Sequence, residues 1–335
     1  MSRFKTPKFW YSSEDSYISK LLMPFSKIYE LSNSLKLNNA ITKKINKPVI
    51  CIGSILHGGA GKTPVVKFVA ELLNRKKYNP HILASGKAGY IRNVMRVDSS
   101  KHSYLQVGDE PILSSEVCPT WIGKDRVKSA EAAILAGADI IIVDSGFLDN
   151  SLEKDLQILV IDSTQKFGNQ HIFPAGPLIE SINSGIQKAD AILIIGVQNS
   201  ALEEKIYTLK NNVPVFYAKM DPDSSVNVKK GDKVIAFCGL GYPEKFKKTL
   251  EKMELSILDF IAFADHHPYT FTEVQKLIRV SKNSHTKLVT TRKDYIKIPE
   301  IFRNEINVID IKLSFTGKAF SDIILKAAAT TIKSH

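Results

Sequence analysis

Short apolar runs recur along the chain, separated by stretches whose apolar positions fall three and four residues apart. "PVICIGSIL" (48–56), "PHILAS" (80–85), "PTWIG" (119–123), "ADIIIVD" (138–144) and "LQILVID" (156–162) are nearly continuous in aliphatic residues. Such runs suit strands of a parallel sheet that is covered on both faces. "ADAILIIGV" (189–197), "VPVFYAKM" (213–220), "KVIAFCGLG" (233–241), "KLVTTRKDY" (287–295) and "INVIDIKLSF" (306–315) extend the series. Helical periodicity predicts helices near 64–75, 111–117 and 126–136, so strands and helices alternate in the α/β manner. The polar stretch "DPDSSVNVKKGD" (221–232) interrupts the pattern and reads as a linker or a pair of short connecting strands. With 335 residues the chain is long enough for two domains. The expected organisation is an N-terminal helical segment over 1–47, a larger domain over 48–222 and a smaller C-terminal α/β domain over 223–335.

The N-terminal segment has a different character. Ile18, Leu21, Leu22, Phe25, Ile28 and Tyr29 form a stripe at helical spacing, with Phe4, Phe9, Trp10 and Tyr11 ahead of it. Residues 1–47 hold nine Lys/Arg against three acidic residues, half of the chain's net +12. A basic amphipathic helix of this kind fits an anionic membrane surface. The competing arrangement is a helix packed on its own domain with solvated lysines. The basic residues do not continue as a stripe through the later motifs, so no nucleic-acid partner is expected. Cys51, Cys118 and Cys238 stand singly without metal-ligand spacing, and Cys51 and Cys238 fall in apolar strand-like runs as buried thiols would, which fits a reducing compartment. No run approaches the roughly 18 apolar residues of a membrane span.

Candidate chemistry begins at "HGGAGKTPVV" (57–66), between an apolar run and a helix. Glycines that let backbone N–H groups turn inward, a lysine and a helix start together form a phosphate cradle. Gly58, Gly59, Ala60, Gly61, Lys62 and Thr63 are the expected nucleotide-binding residues, with the Thr63 hydroxyl placed for Mg²⁺. The strict motif has a glycine where this chain has Leu56, so the loop is a variant. "IIIVDSG" places Asp144 at a strand's C-terminal tip, where beside such a loop a carboxylate commonly holds Mg²⁺. The two motifs together point to an enzyme acting on ATP or GTP without naming the acceptor.

"PVICIGSILHGGAGKTPVV", "VGDEP" (107–111), "IGKDR" (122–126), "FGNQHIFPAGPLIE" (167–180), "FCGLGYPEKF" (237–246), "FADHHPY" (263–269) and "TTRKD" (290–294) occur in one order. That order resembles the tetraacyldisaccharide 4′-kinase family, the lipid A kinases of Gram-negative bacteria, over nearly the whole chain. The resemblance implies a P-loop NTPase-like parallel sheet with helices on both faces. It also implies Mg²⁺-dependent transfer of the ATP γ-phosphate to the 4′-hydroxyl of a tetraacylated glucosamine disaccharide. A peripheral monomer on the cytoplasmic face of the inner membrane is expected, which favours the membrane role for residues 1–47. By the same resemblance Asp109 is the candidate base, working with His266, or alternatively His267, on the second domain. Glu110 would assist Thr63 and Asp144 at the metal, while Arg126, Glu180, Gly146 and Phe147 would meet substrate. The chain departs from the family pattern at Ser145, Leu148, Asp149 and Ile179, where an aspartate, a glutamine, a histidine and an arginine are usual. These departures leave two rivals to a working kinase: a nucleotide-switch ATPase or GTPase, and a catalytically impaired lipid-binding relative.

Overall fold

The computed structural model describes residues 6–12, 16–86, 88–223 and 227–330. Phe4, at the front of the aromatic N-terminal group, lies outside the described residues. The chain divides into a larger unit, Pro7–Lys219 with Leu313–His335, and a smaller one, Met1–Thr6 with Met220–Lys312.

The larger unit opens with a 3₁₀ turn, Lys8–Tyr11, and helix α1, Tyr17–Asn38. There follow β1 (Val49–Gly53), α2 (Lys62–Arg75), β2 (Pro80–Ala84), β3 (Met95–Arg96), α3 (Tyr104–Val107), α4 (Asp109–Ser115) and β4 (Thr120–Ile122). Next come α5 (Arg126–Leu135), β5 (Ile140–Asp144), β6 (Leu156–Asp162), α6 (Ile182–Lys188), β7 (Ala191–Ile195), α7 (Ser200–Leu209) and β8 (Val215–Pro222). The smaller unit holds β9 (Lys233–Cys238), α8 (Glu244–Lys252), β10 (Ser256–Ala262), α9 (Phe271–Asn283), β11 (Lys287–Thr291), α10 (Arg292–Tyr295), a 3₁₀ turn (Glu300–Glu305) and β12 (Asn307–Ile309). Strand β13 (Ile311–Phe315) and helix α11 (Ala319–Ala329) return the chain to the larger unit.

Nine strands form one sheet in the order β13-β8-β7-β6-β1-β5-β2-β4-β3. The pairings from β8 across to β4 are parallel, and β3 runs antiparallel to β4. Strands β1, β2, β5 and β7 are buried at every position, as their unbroken apolar runs require. Because β5 and β2 lie on one side of β1 and β6 on the other, β1 ends at a switch point, and ligands of open α/β sheets bind off such carboxyl ends. The smaller unit carries an all-parallel sheet in the order β10-β9-β11-β12. Along β9 the side chains alternate: Val234, Ala236 and Cys238 join the core under α8, whereas Ile235 and Phe237 join the one under α9.

Three sequence expectations change. The segment 287–295 is a strand only to Thr291, which then caps the helical turn α10 by accepting from the Asp294 N–H. The run 306–315 is two strands, β12 and β13, in different sheets. Residues 313–335, expected in the C-terminal domain, group with the larger unit. The physical reason is aromatic burial: Phe320 of α11 stacks on Phe315 at 4.9 Å and meets Phe216 edge-on at 5.4 Å.

Candidate functional site

The loop after β1 has the cradle geometry. Gly58, Gly59 and Gly61 take φ of 71°, 68° and 81°, a region that side chains with a Cβ seldom occupy. Gly61 is the N-cap of α2, so Lys62 and Thr63 open that helix. Ala60 is fully buried, while Lys62 and Thr63 are half-buried. The loop's entry is pinned to the "PAGPL" stretch: His57 N–H donates to Pro177 O at 2.8 Å, Ile179 N–H donates to Ile55 O at 2.8 Å, and Leu56 bridges Leu178. Leu56 is therefore a buried core residue where the strict motif has glycine. Gln165, which no sequence motif singles out, also borders the loop. It is buried, its amide lies 3.0 Å from where a Cβ on Gly59 would stand, and its Oε1 has no hydrogen-bond partner among the described residues.

Asp144 ends β5, opposite Ile52 of β1, and is 2% exposed. Burial pushes its carboxyl up to about 6, and the neighbouring Glu110 carboxylate adds to the rise; Lys62, the Ser145 hydroxyl and Arg126 oppose it. Ser145 Oγ donates to Asp144 Oδ1 at 3.0 Å from a left-handed backbone, φ 59°. The Asp144 and Glu110 carboxylates, with the hydroxyl of Thr63 at the start of α2, offer oxygen donors of the kind Mg²⁺ takes. Among the described residues no group of three or more His, Cys, Asp or Glu forms a metal cage.

The four residues expected to meet substrate make contacts within the larger unit. Arg126, expected on a phosphate, is 6% exposed and donates to the carbonyls of Leu83 and Asp144 while pairing with Asp149 at 3.7 Å. It clasps the tips of β2 and β5, and burial lowers its pKa. Phe147 is 1% exposed and fills the space beside Gly53, where a Cβ would stand 2.1 Å from its ring. Gly146 has room only for hydrogen, because a Cβ would meet Val143 at 2.5 Å and Cys51 Sγ at 3.0 Å. Glu180 is buried and accepts from Ser184 Oγ (2.7 Å) and Lys188 Nζ (2.6 Å). Phe147 and Gly146 are thus packing residues, and Glu180 closes α6 onto its own helix.

Asp109 opens α4 and is 2% exposed, with Oδ1 accepting from the Glu110 N–H at 3.1 Å. The sharp entry depends on Gly108, φ 96°.

In the smaller unit the two histidines of "DHH" differ. The His267 ring stacks on Phe263 at 4.6 Å and meets Tyr269 edge-on at 5.1 Å. Its Nε2 lies 3.2 Å from both Glu273 carboxylate oxygens, and Glu273 also completes the capping box of α9 with Thr270. His266 has a left-handed backbone, φ 56°, and an exposed side chain, with Nε2 3.4 Å from Lys293 Nζ. His267 is thus held by Phe263, Tyr269 and Glu273, and His266 is the more exposed of the two.

Helix α1 is docked by its polar side. Ser19 and Ser26 are buried and donate to the carbonyls of Ala175 and Ile172, and Asn33 donates to Ile179 O. Ile18, Leu21, Phe25, Ile28, Leu31 and Leu35 are each more than half exposed. Trp10 and Tyr29 pack with Phe173, whose ring lies 4.9 Å from that of His57 at the cradle's edge. Of the expected stripe, Ile18, Leu21, Phe25 and Ile28 are exposed, whereas Leu22 is half-buried and Tyr29 packs on Phe173, so the helix is docked on its own unit with most of its apolar face outward. No helix among the described residues is long and apolar enough to cross a membrane.

Comparison with known proteins agrees with this geometry. The family model described as tetraacyldisaccharide-1-P 4′-kinase matches residues 18–329. The tetraacyldisaccharide 4′-kinase of Gluconobacter oxydans is 36% identical over 309 residues, 92% of this chain and 93% of that relative. The Rhodospirillum centenum protein of the same name is 33% identical over 315 residues, covering 93% of each. A crystal structure of LpxK from Aquifex aeolicus in complex with ATP aligns with a TM-score of 0.72 at 24% identity, covering 93% of this chain and 99% of that one. That structure shares the fold.

Proposed function

We propose, from the premise that this chain belongs to the tetraacyldisaccharide-1-P 4′-kinase family, that it transfers the γ-phosphate of ATP to the 4′-hydroxyl of a tetraacylated glucosamine disaccharide 1-phosphate, a step of lipid A biosynthesis. The observation that carries the reading is the cradle 58–63 with Asp144 and Glu110 beside Lys62 at the carboxyl ends of the sheet. Lys62 and the loop N–H groups bind and neutralise the β- and γ-phosphates. Thr63, Asp144 and Glu110 would hold Mg²⁺, which supplies charge neutralisation on the transferring phosphoryl group. Asp109 takes the proton of the sugar hydroxyl as its oxygen bonds to phosphorus, and the bond from phosphorus to the β-phosphate oxygen breaks to release ADP. The exposed face of α1, flanked by Lys20, Lys27 and Lys36, attaches the monomer peripherally to the cytoplasmic face of the inner membrane.

The test is turnover by the purified chain with Mg²⁺, ATP or GTP, and tetraacyldisaccharide 1-phosphate, read as the mass gain of one phosphate on the lipid. ATP-dependent phosphorylation of the lipid, lost in a folded Lys62→Ala variant, is expected. Nucleotide hydrolysis without lipid product would establish the switch ATPase instead, and nucleotide binding with neither product would establish the impaired relative.

A further inference from the structure

Strand β6 pairs with β1 on the side away from β5, and the turn after it holds Gln165 against the phosphate loop. Asp162 is buried at the strand's end, and its Oδ1 accepts from the N–H groups of Thr164 at 3.0 Å and Gln165 at 2.8 Å. The Lys166 N–H donates to Asp162 O at 2.7 Å and the Gly168 N–H to Gln165 O at 2.8 Å, so the backbone on both sides of Gln165 is fixed. The Gln165 side chain fills the room that Gly59 leaves by lacking a Cβ: Nε2 and Oε1 lie 3.0 and 3.1 Å from where that atom would stand. An apolar side chain of the same length would fill this room as well. An amide oxygen buried there, with no partner among the described residues, is a cost of folding. Such a group calls for a partner that arrives with function.

That partner must be a donor, because Oε1 only accepts. The phosphates of a nucleotide are acceptors, so the donors of ATP are its two ribose hydroxyls and its adenine amino group. The amino group lies at the end of the molecule farthest from the phosphates, which leaves the ribose. Position agrees with this choice. Asp144 ends β5 with Glu110 beside it, and Lys62, the cationic donor of the loop, acts on Asp144 there. The metal and the outer phosphates it bridges thus belong to the β5 side, and the inner phosphate and ribose to the β6 side. Gly59 is exposed and carries no side chain to screen the amide. The last torsion of a glutamine is broad, so the oxygen can turn toward a hydroxyl arriving beside that glycine. We infer that Gln165 is a specificity residue of the nucleotide site, its amide oxygen accepting a hydrogen bond from a ribose hydroxyl of ATP. The inference rests on the proposed binding of ATP at residues 58–63.

The experiment measures binding of ATP, 2′-deoxyATP and 3′-deoxyATP, each with Mg²⁺, to the full chain by calorimetry in the absence of lipid. The unaltered chain should bind ATP roughly three- to tenfold more tightly than one of the two deoxy nucleotides, the worth of one neutral hydrogen bond. Gln165→Met, and independently Gln165→Leu, should bind all three nucleotides within about twofold of one another. Without nucleotide, Gln165→Met should melt no lower than the unaltered chain, because the unsatisfied amide is gone; an amide serving the fold alone predicts a lower melting temperature. Equal binding of the three nucleotides by the unaltered chain overturns the inference, and so does a preference for ATP that survives in both variants. An equal loss of affinity for all three nucleotides in the variants also overturns it, assigning the amide to the shape of the loop. If the unaltered chain binds no ATP, the nucleotide reading itself falls and the inference falls with it.

Discussion

Replacing Asp144 with asparagine should stabilise the ligand-free protein while abolishing turnover. Asp144 is buried beside Glu110, and its carboxyl is raised from 3.8 to about 6. An acid whose folded pKa lies above its unfolded value binds more protons when folded, so stability is lost as pH rises between 3.8 and about 6. A tenfold change in proton affinity corresponds to about 1.4 kcal/mol, so the ionised carboxylate costs at most about 3 kcal/mol above that window. Asparagine keeps an oxygen for the Ser145 hydroxyl, which donates at 3.0 Å, and removes the charge. The assay is thermal unfolding of both proteins without nucleotide or metal across pH 4.5–7.5. The asparagine variant should melt higher, by no more than roughly 10 °C at pH 7.5, and its advantage in free energy should shrink about threefold at pH 4.5. Mg²⁺ with ATP should narrow the gap at pH 7.5, because the ion supplies the positive charge that the carboxylate lacks. A variant less stable than the unaltered protein at pH 7.5, or an advantage that does not vary with pH, would refute the assignment of Asp144 as a strained carboxylate awaiting a cation.

Ser145→Asp should bind Mg²⁺ more tightly in the presence of ATP yet melt lower without it, since φ 59° tolerates aspartate and a further carboxylate joins Asp144 and Glu110; superimposable Mg²⁺ titrations would remove position 145 from the metal. Phe147→Ala should cost about 3–5 kcal/mol of stability in chemical denaturation and leave the KM for lipid unchanged, as befits a ring that is 1% exposed; the reverse outcome would return Phe147 to the substrate. Leu21→Glu with Phe25→Glu should leave the melting temperature within about 2 °C, both side chains being more than half exposed, while cosedimentation with anionic vesicles is lost. Equal sedimentation would place the anchor elsewhere.

The cradle was legible because its three ingredients are local: an apolar strand, glycines with positive φ and a helix start follow one another within the span 49–75. Asp144 was legible for the same reason, as the polar end of an aliphatic run. Contacts between distant segments were not. Phe147 and Gly146 stand next to a metal candidate in sequence, but the side chain of one and the missing Cβ of the other are set by Gly53 and Cys51, on the neighbouring strand. Arg126 reads as a surface cation until the carbonyls of Leu83 and Asp144 are placed over it. His266 and His267 are identical as letters, and only Glu273, Phe263 and Lys293 separate them. The run 306–315 alternates on either side of the adjacent pair Val308 and Ile309, and nothing in that pattern says that Asp310 divides it between two sheets. One missed signal was local: threonine three residues ahead of aspartate, Thr291 and Asp294, is a helix-start pattern inside what looked like a strand.

Helix α1 inverts the usual rule for amphipathic helices, and its polar contacts explain how the inversion holds. A helix with six large apolar side chains facing water would gain by rolling that face onto the protein, since burying each is worth about 1.5–3 kcal/mol. Rolling is opposed by Ser19, Ser26 and Asn33, whose bonds to the carbonyls of Ala175, Ile172 and Ile179 fix the helix in rotation along most of its length. Those carbonyls belong to the stretch that also pins His57 and Leu56 through Pro177 and Leu178. Breaking the docking to hide the apolar face would leave these buried polar groups unpaired at about 1–3 kcal/mol each and would loosen the entry to the cradle. The exposed stripe is therefore held outward by the same segment that shapes the phosphate loop, and under the proposed function an acyl-rich membrane is the surroundings in which that stripe ceases to be a cost.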